Sequence, residues 1–458
     1  MSPNPSGKCR LESPSIPYFA YRTLEWLLAP IALSGLMALR ISSNKYRDIT
    51  LKRLGILKKD ELKIKKKGRP IFWVHALSYG EVKAAFPLLK RIKEQWKESV
   101  LIGSSSTPTG MLELCKMGDS ILDLTIPMPF DFTPCFLRHI SWLKPDCFLL
   151  VETDVWPNFL WQLKRRGTQL VLVNGSISER ASSRLSMMPW VSRFIYGPFA
   201  KIGMQSEKDR DRLISTGIDA SDVVAVGNMK FDIDIPDMDN VSKSMVKELG
   251  LRDDGLVVVL GSSHPGEEEA VLPSIMALRQ LSDQRPIEVF VVPRDPGRAA
   301  EIKALFESQG VRCSLRTQLA ASNQASVASP NHSFRCIIVD TLGELLKIYS
   351  ISHVAIMGGT FVPVGGHNIL EPASFGLPVI VGPYVESIEE ICEGLERAGG
   401  LFRISGKEGL KPILLSLLQD PSKRNSVGKA AKRFVERNKG VIDRYIYMIE
   451  EILRNGVQ

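Results

Sequence analysis

The chain has 458 residues, 44% hydrophobic and 24% charged, enough for two ordinary domains with extended cores; disorder, collagen-like repeats and small disulfide-stapled scaffolds are excluded. Seven cysteines lie dispersed with no C-x-x-C pair, a pattern that fits buried thiols in a reducing compartment and excludes zinc-finger and redox-motif readings. The net charge of +9 is local, because residues 1–70 hold 15 Lys and Arg against 5 Asp and Glu; no nucleic-acid partner is expected for the nearly neutral remainder.

The first predicted element is apolar. From Trp26 to Leu39 run 14 uncharged residues, short of the roughly 20 that cross a bilayer without tilt or thinning. Eleven basic residues follow between Lys45 and Arg69, and each gains on the order of 1 kcal/mol beside an anionic leaflet. An apolar segment with a basic skirt reads as a two-signal membrane anchor, either spanning the bilayer or lying on a phospholipid surface. A buried core helix and a cleaved signal peptide compete with it, the latter weakened because the charges follow the apolar run. The lysine-rich stretch 58–67 has no assigned role.

From Arg69 onward short apolar runs alternate with amphipathic stretches. Ile71–Val74, Val100–Ile102, Cys147–Val151 and Leu170–Val173 read as buried strands, and their Val, Ile and Leu content without polar alternation predicts parallel strands covered on both faces. A second set comprises Val223–Val226, Leu256–Leu260, Val289–Val292, Ile337–Val339, Val354–Met357 and Val379–Val381. Helices are predicted between them, as at Gly80–Glu94 and Pro265–Leu281. The pattern is βαβ alternation twice over: an α/β fold of two doubly wound, Rossmann-like domains, joined between about Lys208 and Lys247, with ligands expected at the carboxyl ends of the strands and in a cleft between the domains. Neither G-x-G-x-x-G after a strand nor G-x-x-x-x-G-K-[ST] occurs, so the two commonest nucleotide loops are absent.

Polar residues that end apolar strands carry the chemistry. Met357-Gly358-Gly359-Thr360 followed by Gly365-Gly366-His367-Asn368-Ile369-Leu370-Glu371 reads as a glycine-rich turn into a short helix starting near Asn368, able to cradle a phosphate, with Glu371 about a turn in and placed for ribose hydroxyls; glycines that merely make turns are an equal reading. Ser262 and His264 follow another strand, Pro293 and Arg294 a third, and Leu342, Gly343 and Glu344 lie after a fourth. Each is an ordinary cap or surface ion pair by itself, but four polar strand ends in one half suggest a site. The first half offers Glu81, at a helix start after a strand, and Glu152, at a buried strand end, where a raised pKa suits a general base. Lys230 is a cation at the junction. Asp209, Asp211, Asp232, Asp234, Asp237 and Asp239 form D-x-D spacings there, but away from the strand ends of the second half; they read as solvated linker charge and no metal is expected.

Taken together, HALSYGE, STPTG, LKPD with VETDVWPN, NGSISERA, QSEKD, GNMKFD, GSSHPGEEE, VPRDP, DTLGEL and GGTFVPVGGHNILEPASFGLPVIVGP, in that order from His75 to Pro383, resemble the Kdo (3-deoxy-D-manno-octulosonic acid) transferases of lipopolysaccharide assembly. The resemblance covers nearly the whole chain. It implies a GT-B glycosyltransferase with a membrane anchor at 1–68, an acceptor-binding domain at 69–230, a CMP-Kdo-binding domain at 231–430 and a terminal helix at 431–458 packing back on the first domain. The donor would be CMP-Kdo and the acceptor a lipid A precursor, at the cytoplasmic face of a bacterial inner membrane. The family's general base falls on Glu81, with transition-state or positioning roles on Glu152 and Lys230. CMP contacts fall on Pro293, Arg294, Leu342, Gly343, Glu344, Asn368, Ile369, Leu370 and Glu371, with Ser262, His264, Gly366 and His367 in the same loops. Asp154 stands where the family often has Glu, and Tyr79 where it often has Val. The alternatives are another GT-B enzyme acting on a UDP-linked amino sugar, and a non-catalytic membrane-associated sugar-nucleotide-binding protein.

Overall fold

Strand runs that carry apolar side chains on both faces must be covered on both faces, and the computed structural model shows two sheets built that way. It describes residues 21–27, 30, 34, 44–56, 68–152, 154–233, 235–283, 285–321 and 333–455. The chain divides into two units, Met1–Asp232 with Gly440–Gln458, and Ile233–Lys439.

In the first unit, β1 (Ile71–His75), β2 (Val100–Ser105), β3 (Leu124–Pro127), β4 (Cys147–Val151), β5 (Gln169–Gly175), β6 (Lys201–Met204) and β7 (Val223–Ala225) form a sheet of order β3-β2-β1-β4-β5-β6-β7. All its pairings are parallel. Alternate residues feed two cores. Ile71, Trp73, Ile102, Phe148 and Leu150 pack on one face, with Phe159; Phe72, Val74, Leu101, Leu149 and Val151 pack on the other, with Tyr445 and Ile449 of the terminal helix Val441–Asn455. The Trp73 indole is satisfied inside the core by Ser104 Oγ at 2.7 Å.

In the second unit, β8 (Leu256–Ser263), β9 (Ile287–Pro293), β10 (Cys313–Leu315), β11 (Phe334–Ile338), β12 (Val354–Met357), β13 (Val379–Val381) and β14 (Leu401–Arg403) form a sheet of order β10-β11-β9-β8-β12-β13-β14, again parallel throughout. Val258, Leu260, Val289, Val291 and Ile356 pack against Leu410, Leu414 and Leu417 of the helix Leu410–Gln419.

Several expectations need correction. Val223–Ala225 is the edge strand of the first sheet and does not open the second set. β3, β6, β10 and β14 were not foreseen, because strands of three or four residues leave too short an apolar run to stand out. Asp209 and Asp232 are not solvated linker charges. Asp209 is buried and accepts from the Ile177 N–H at 3.0 Å. Asp232 accepts from the N–H groups of Gly440 and Ile442 at 2.7 and 2.6 Å, capping the terminal helix where the chain re-enters the first unit. Residue 431 lies inside the continuous helix Pro421–Asn438, and Asp234 lies outside the described residues. Among the described cysteines five are buried but Cys115 is exposed.

Most of the apolar segment from Trp26 to Leu39, and the lysine run 58–67, lie outside the described residues. Among those described, no helix is long and apolar enough to cross a membrane. Residues 21–27 are helical and dock on the first unit: the Tyr21 hydroxyl donates to Asp131 at 2.8 Å, while Glu25 accepts from the Thr133 N–H and the Asn158 amide at 2.8 and 2.9 Å. One member of the basic skirt turns inward. The Arg53 guanidinium lies 4.0 Å over the Phe130 ring and donates to the carbonyls of Met128 and Ser106, and burial lowers its pKa to about 10.

Replacing Asp232 by Ala removes both caps of the terminal helix and is expected to cost about 1–2 kcal/mol of stability. Urea unfolding of the variant against the parent measures it.

Candidate functional site

In an open parallel sheet the loops diverge where the strand order reverses, leaving a crevice at the carboxyl ends of the two strands concerned. In the first sheet those strands are β1 and β4. Glu81 follows β1 and Glu152 follows β4.

Glu81 sits in the first turn of the helix Tyr79–Gln95, where Ser78 caps the Glu81 N–H. The S-x-x-E spacing is that of a capping box, and the Glu81 carboxylate reaches back to the Leu77 N–H at 2.6 Å. Burial nevertheless pushes its pKa up to about 7, helped by the negative charge of Glu152 and opposed by the Leu77 and Ser78 hydrogen bonds. Glu152 adopts a left-handed backbone with φ 64°, rare for a side chain with a Cβ, which turns it out of the strand. Burial raises its pKa as well, against the pull of the Lys230 charge and an Asn174 hydrogen bond. Lys230 lies on the 3-10 turn Met229–Phe231 with an exposed side chain. The fold thus brings Glu152 into electrostatic reach of both Glu81 and Lys230.

The neighbouring Asp154 behaves oppositely. Burial alone would raise its pKa, but the His75 and Ser106 hydrogen bonds, both at 3.1 Å, together with the His75 charge hold it below the usual carboxylate range. Glu81 and Asp154, which follow the neighbouring strands β1 and β4, are therefore driven apart, Glu81 up to about 7 and Asp154 toward its charged form. The His75–Asp154 pair was not foreseen. Its only sequence signal was the histidine of HALSYGE, 79 positions from its partner.

In the second sheet the reversal lies between β8 and β12. Ser262, φ 58°, and His264 end β8; the glycine-rich loop follows β12. Gly358 has to be glycine, because a Cβ there would lie 2.3 Å from the Ser262 carbonyl oxygen. The two loops are stapled by Glu267, which is completely buried and accepts from the N–H groups of His264, Gly359, Thr360 and Phe361 at 2.7 to 3.0 Å. Glu268, equally buried, accepts from Ser263 at 2.7 Å and from Arg298 at 2.9 Å. Both were missed as organising residues, although the E-E-E run of GSSHPGEEE was the signal.

His367 is not a lone histidine. Its Nε2 lies 2.7 Å from that of His264, with the rings stacked, and burial together with the charges of His264 and Arg294 lowers its pKa to about 4. It is neutral near pH 7 and serves as a hydrogen-bonding group, while the exposed Arg294 supplies the cation. Pro293 ends β9, and the Arg294 N–H pairs with the Ser263 carbonyl at 2.9 Å, so these loops are adjacent. The short helix begins at Leu370, two residues past Asn368, and has five residues; Glu371 is in its first turn and accepts from the Asn368 amide at 3.1 Å. The side chains of Ile369 and Leu370 are core residues, so a ligand meets only their backbone. Gly366, φ 92°, donates to the Gly359 carbonyl. In the fourth loop Leu342 is 82% exposed and Gly343 has φ 81°, but Glu344 is held by Arg316 at 2.9 Å and by the Thr341 hydroxyl.

Comparison with known proteins places these motifs. The family model for 3-deoxy-D-manno-octulosonic-acid transferase (kdotransferase) matches residues 50–233. A curated 3-deoxy-D-manno-octulosonic acid transferase of Rickettsia felis is 30% identical over 400 residues, 84% of this chain and 80% of the relative. One of Haemophilus influenzae is 26% identical over 96% of this chain and 99% of its own length. Among solved structures, a UDP-GlcNAc 2-epimerase from Neisseria meningitidis is similar at TM-score 0.55 and 14% identity, over 84% of this chain and 100% of that one. A glycosyltransferase from Rickettsia africae is similar at 0.53 and 16%, over 84% and 99%. The structural likenesses carry the fold alone, that of the GT-B glycosyltransferases. The sequence relatives carry more: this chain belongs to the 3-deoxy-D-manno-octulosonic acid (Kdo) transferase family.

Proposed function

We propose that the protein transfers Kdo from CMP-Kdo to a lipid A precursor with inversion, using Glu81 as general base. The observation that carries this reading is the Glu81 carboxyl, pushed up to about 7 beside an Asp154 kept charged. A base of that pKa is ionised often enough at neutral pH to act and is basic enough to take a proton in the transition state. The acceptor O–H proton passes to Glu81 as the oxygen attacks the anomeric carbon, and the bond from that carbon to the CMP phosphate oxygen breaks. The negative charge left on the phosphate is met by the Lys230 ammonium, which calls for no divalent ion. Glu152 pairs electrostatically with Lys230 and keeps that ammonium in place before the leaving group needs it.

The donor is held on the second unit, with Ser262, His264, Arg294 and the loop Gly366–Glu371 around the nucleotide and the backbone of Leu342 and Gly343 beside it. The acceptor carries acyl chains, so an enzyme held at the cytoplasmic face of the inner membrane by its apolar segment and basic skirt meets it in the bilayer.

Incubation with CMP-Kdo and a tetraacylated lipid A precursor is expected to raise the lipid mass by whole Kdo units, one CMP released per unit; an unchanged lipid mass with folded enzyme and intact donor contradicts the assignment. Glu81→Gln is expected to lower transfer by about 100-fold or more while leaving CMP-Kdo binding intact. In the parent, kcat/KM falls as pH drops below about 7, and the variant lacks that limb. Stability gives an independent check. The folded pKa of Glu81 lies above its unfolded value of about 4.3, so its stabilising contribution is complete below that value and is lost as pH rises to about 7. Thermal melts of Glu81→Gln therefore match the parent at low pH and gain on it up to about pH 7.

A further inference from the structure

Three sequence motifs, NGSISERA, QSEKD and GNMKFD, mark the resemblance to the family, and their amide side chains have no role in the reading above. The structure places one amide from each in a single hydrogen-bonded chain. Asn174 ends β5, Gln205 follows β6 and Asn228 follows β7. The Asn174 side chain donates through Nδ2 to Glu152 Oε1 at 3.3 Å and accepts through Oδ1 from the Met229 N–H at 2.9 Å. Its carbonyl accepts from Gln205 Nε2 at 2.9 Å, and Gln205 Oε1 accepts from Asn228 Nδ2 at 2.8 Å. Asn228 Oδ1 closes the chain by accepting from the Lys230 N–H at 3.0 Å.

The orientation of Asn174 is fixed by chemistry. A backbone N–H only donates, so the atom facing Met229 must be the oxygen and the atom facing Glu152 must be the NH2. The site is also expensive to build. Asn174 is fully buried and holds φ 56°, next to Glu152 at φ 64°, and these are two of four described non-glycine residues with positive φ. The Asn174 N–H donates to the hydroxyl of Tyr445, which reaches it from the terminal helix. A buried side chain with every polar atom engaged, at a strained backbone position, between a carboxylate and the turn that carries a lysine, has more to do than fill space.

We propose that Asn174 is a positioning residue for the transfer step, holding Glu152 and the Lys230 turn in fixed relation through its side-chain amide. The proposal rests on the roles given above to Glu152 and Lys230. Asparagine suits the task because it has one donor and one acceptor on a short stem and tolerates the left-handed backbone. Aspartate would keep the bond from Met229 but set an oxygen against Glu152. Glycine would keep the backbone and lose both bonds.

The test is kinetic and uses the full chain. Asn174→Gly adopts φ 56° without steric cost, so a fall in its melting temperature reports the two lost hydrogen bonds and the space left by the side chain, and kcat is compared at a temperature where both proteins are folded. Both Asn174→Gly and Asn174→Asp are expected to lower kcat by about ten-fold or more with the KM for CMP-Kdo within about two-fold. In a Glu152→Gln background the glutamine amide can donate to the new aspartate, so Asn174→Asp is expected to cost less than about two-fold there. A folded Asn174→Gly enzyme with the parent's kcat overturns the proposal. So does an impaired Glu152→Gln enzyme in which Asn174→Asp costs the same factor as in the parent, and that result leaves the proposed reaction standing. A Glu152→Gln enzyme as fast as the parent removes both the role of Glu152 and that of Asn174, with the role of Glu81 untouched.

Discussion

Parallel pairing is the constraint from which the rest follows. When every strand of a sheet runs the same way and both faces are covered, the strand interiors hold only apolar side chains, and polar groups survive only at the ends. The carboxyl ends then collect at one edge, and a reversal of strand order opens a crevice there. In the first unit Glu81, Glu152 and Asp154 stand at that edge because β1 and β4 are neighbours; in the second, His264 meets His367 because β8 and β12 are neighbours. Across each pair of neighbouring strands, the residues that meet are far apart in sequence.

The buried carboxylates divide by how fully their charge is met. Glu267, with four backbone N–H donors, and Glu268, with an arginine and a serine, have what a buried anion requires, and they serve as staples for the loops around the glycine-rich turn. Glu81 and Glu152 are less well provided. Burial outweighs the donors around them, their charges repel, and both are pushed toward the neutral form. The contrast separates carboxylates that are fully satisfied, and so finished as staples, from Glu81 and Glu152, which the fold leaves nearer to protonation.

The first unit is also closed from a distance. Asp232 caps the terminal helix, and Tyr445 of that helix hydrogen-bonds at the end of β5, so the last residues of the chain support the strand ends that carry Glu152 and Asn174. On the other side, Tyr21 and Glu25 tie the residues preceding the basic skirt to Asp131, Thr133 and Asn158. Burial pushes the Asp131 carboxyl up to about 7 despite its three hydrogen bonds, so this attachment too is sensitive to protonation.

Much was legible in the chain itself. Apolar runs without alternation identified the long central strands and their parallel, doubly covered setting, since that pattern is local and repeats every few residues. Strand-end polarity singled out Glu81, Glu152, Arg294 and the glycine-rich turn, since a polar group directly after a buried strand has nowhere to go but the edge. β3, β6, β10 and β14 were silent, because short strands whose apolar residues do not run together carry too little pattern. Asp209 and Asp232 were misread as linker charges for a related reason: spacing along the chain says nothing of the distant N–H groups they cap. The sequence by itself determined the two α/β units, the family and the roster of strand-end residues. Only the tertiary structure decided the partnerships, His75 with Asp154, His264 with His367, Glu267 with four backbone donors and Asn174 between Glu152 and the Lys230 turn, because each joins residues brought together by strand order, and strand order is set by how the whole sheet packs.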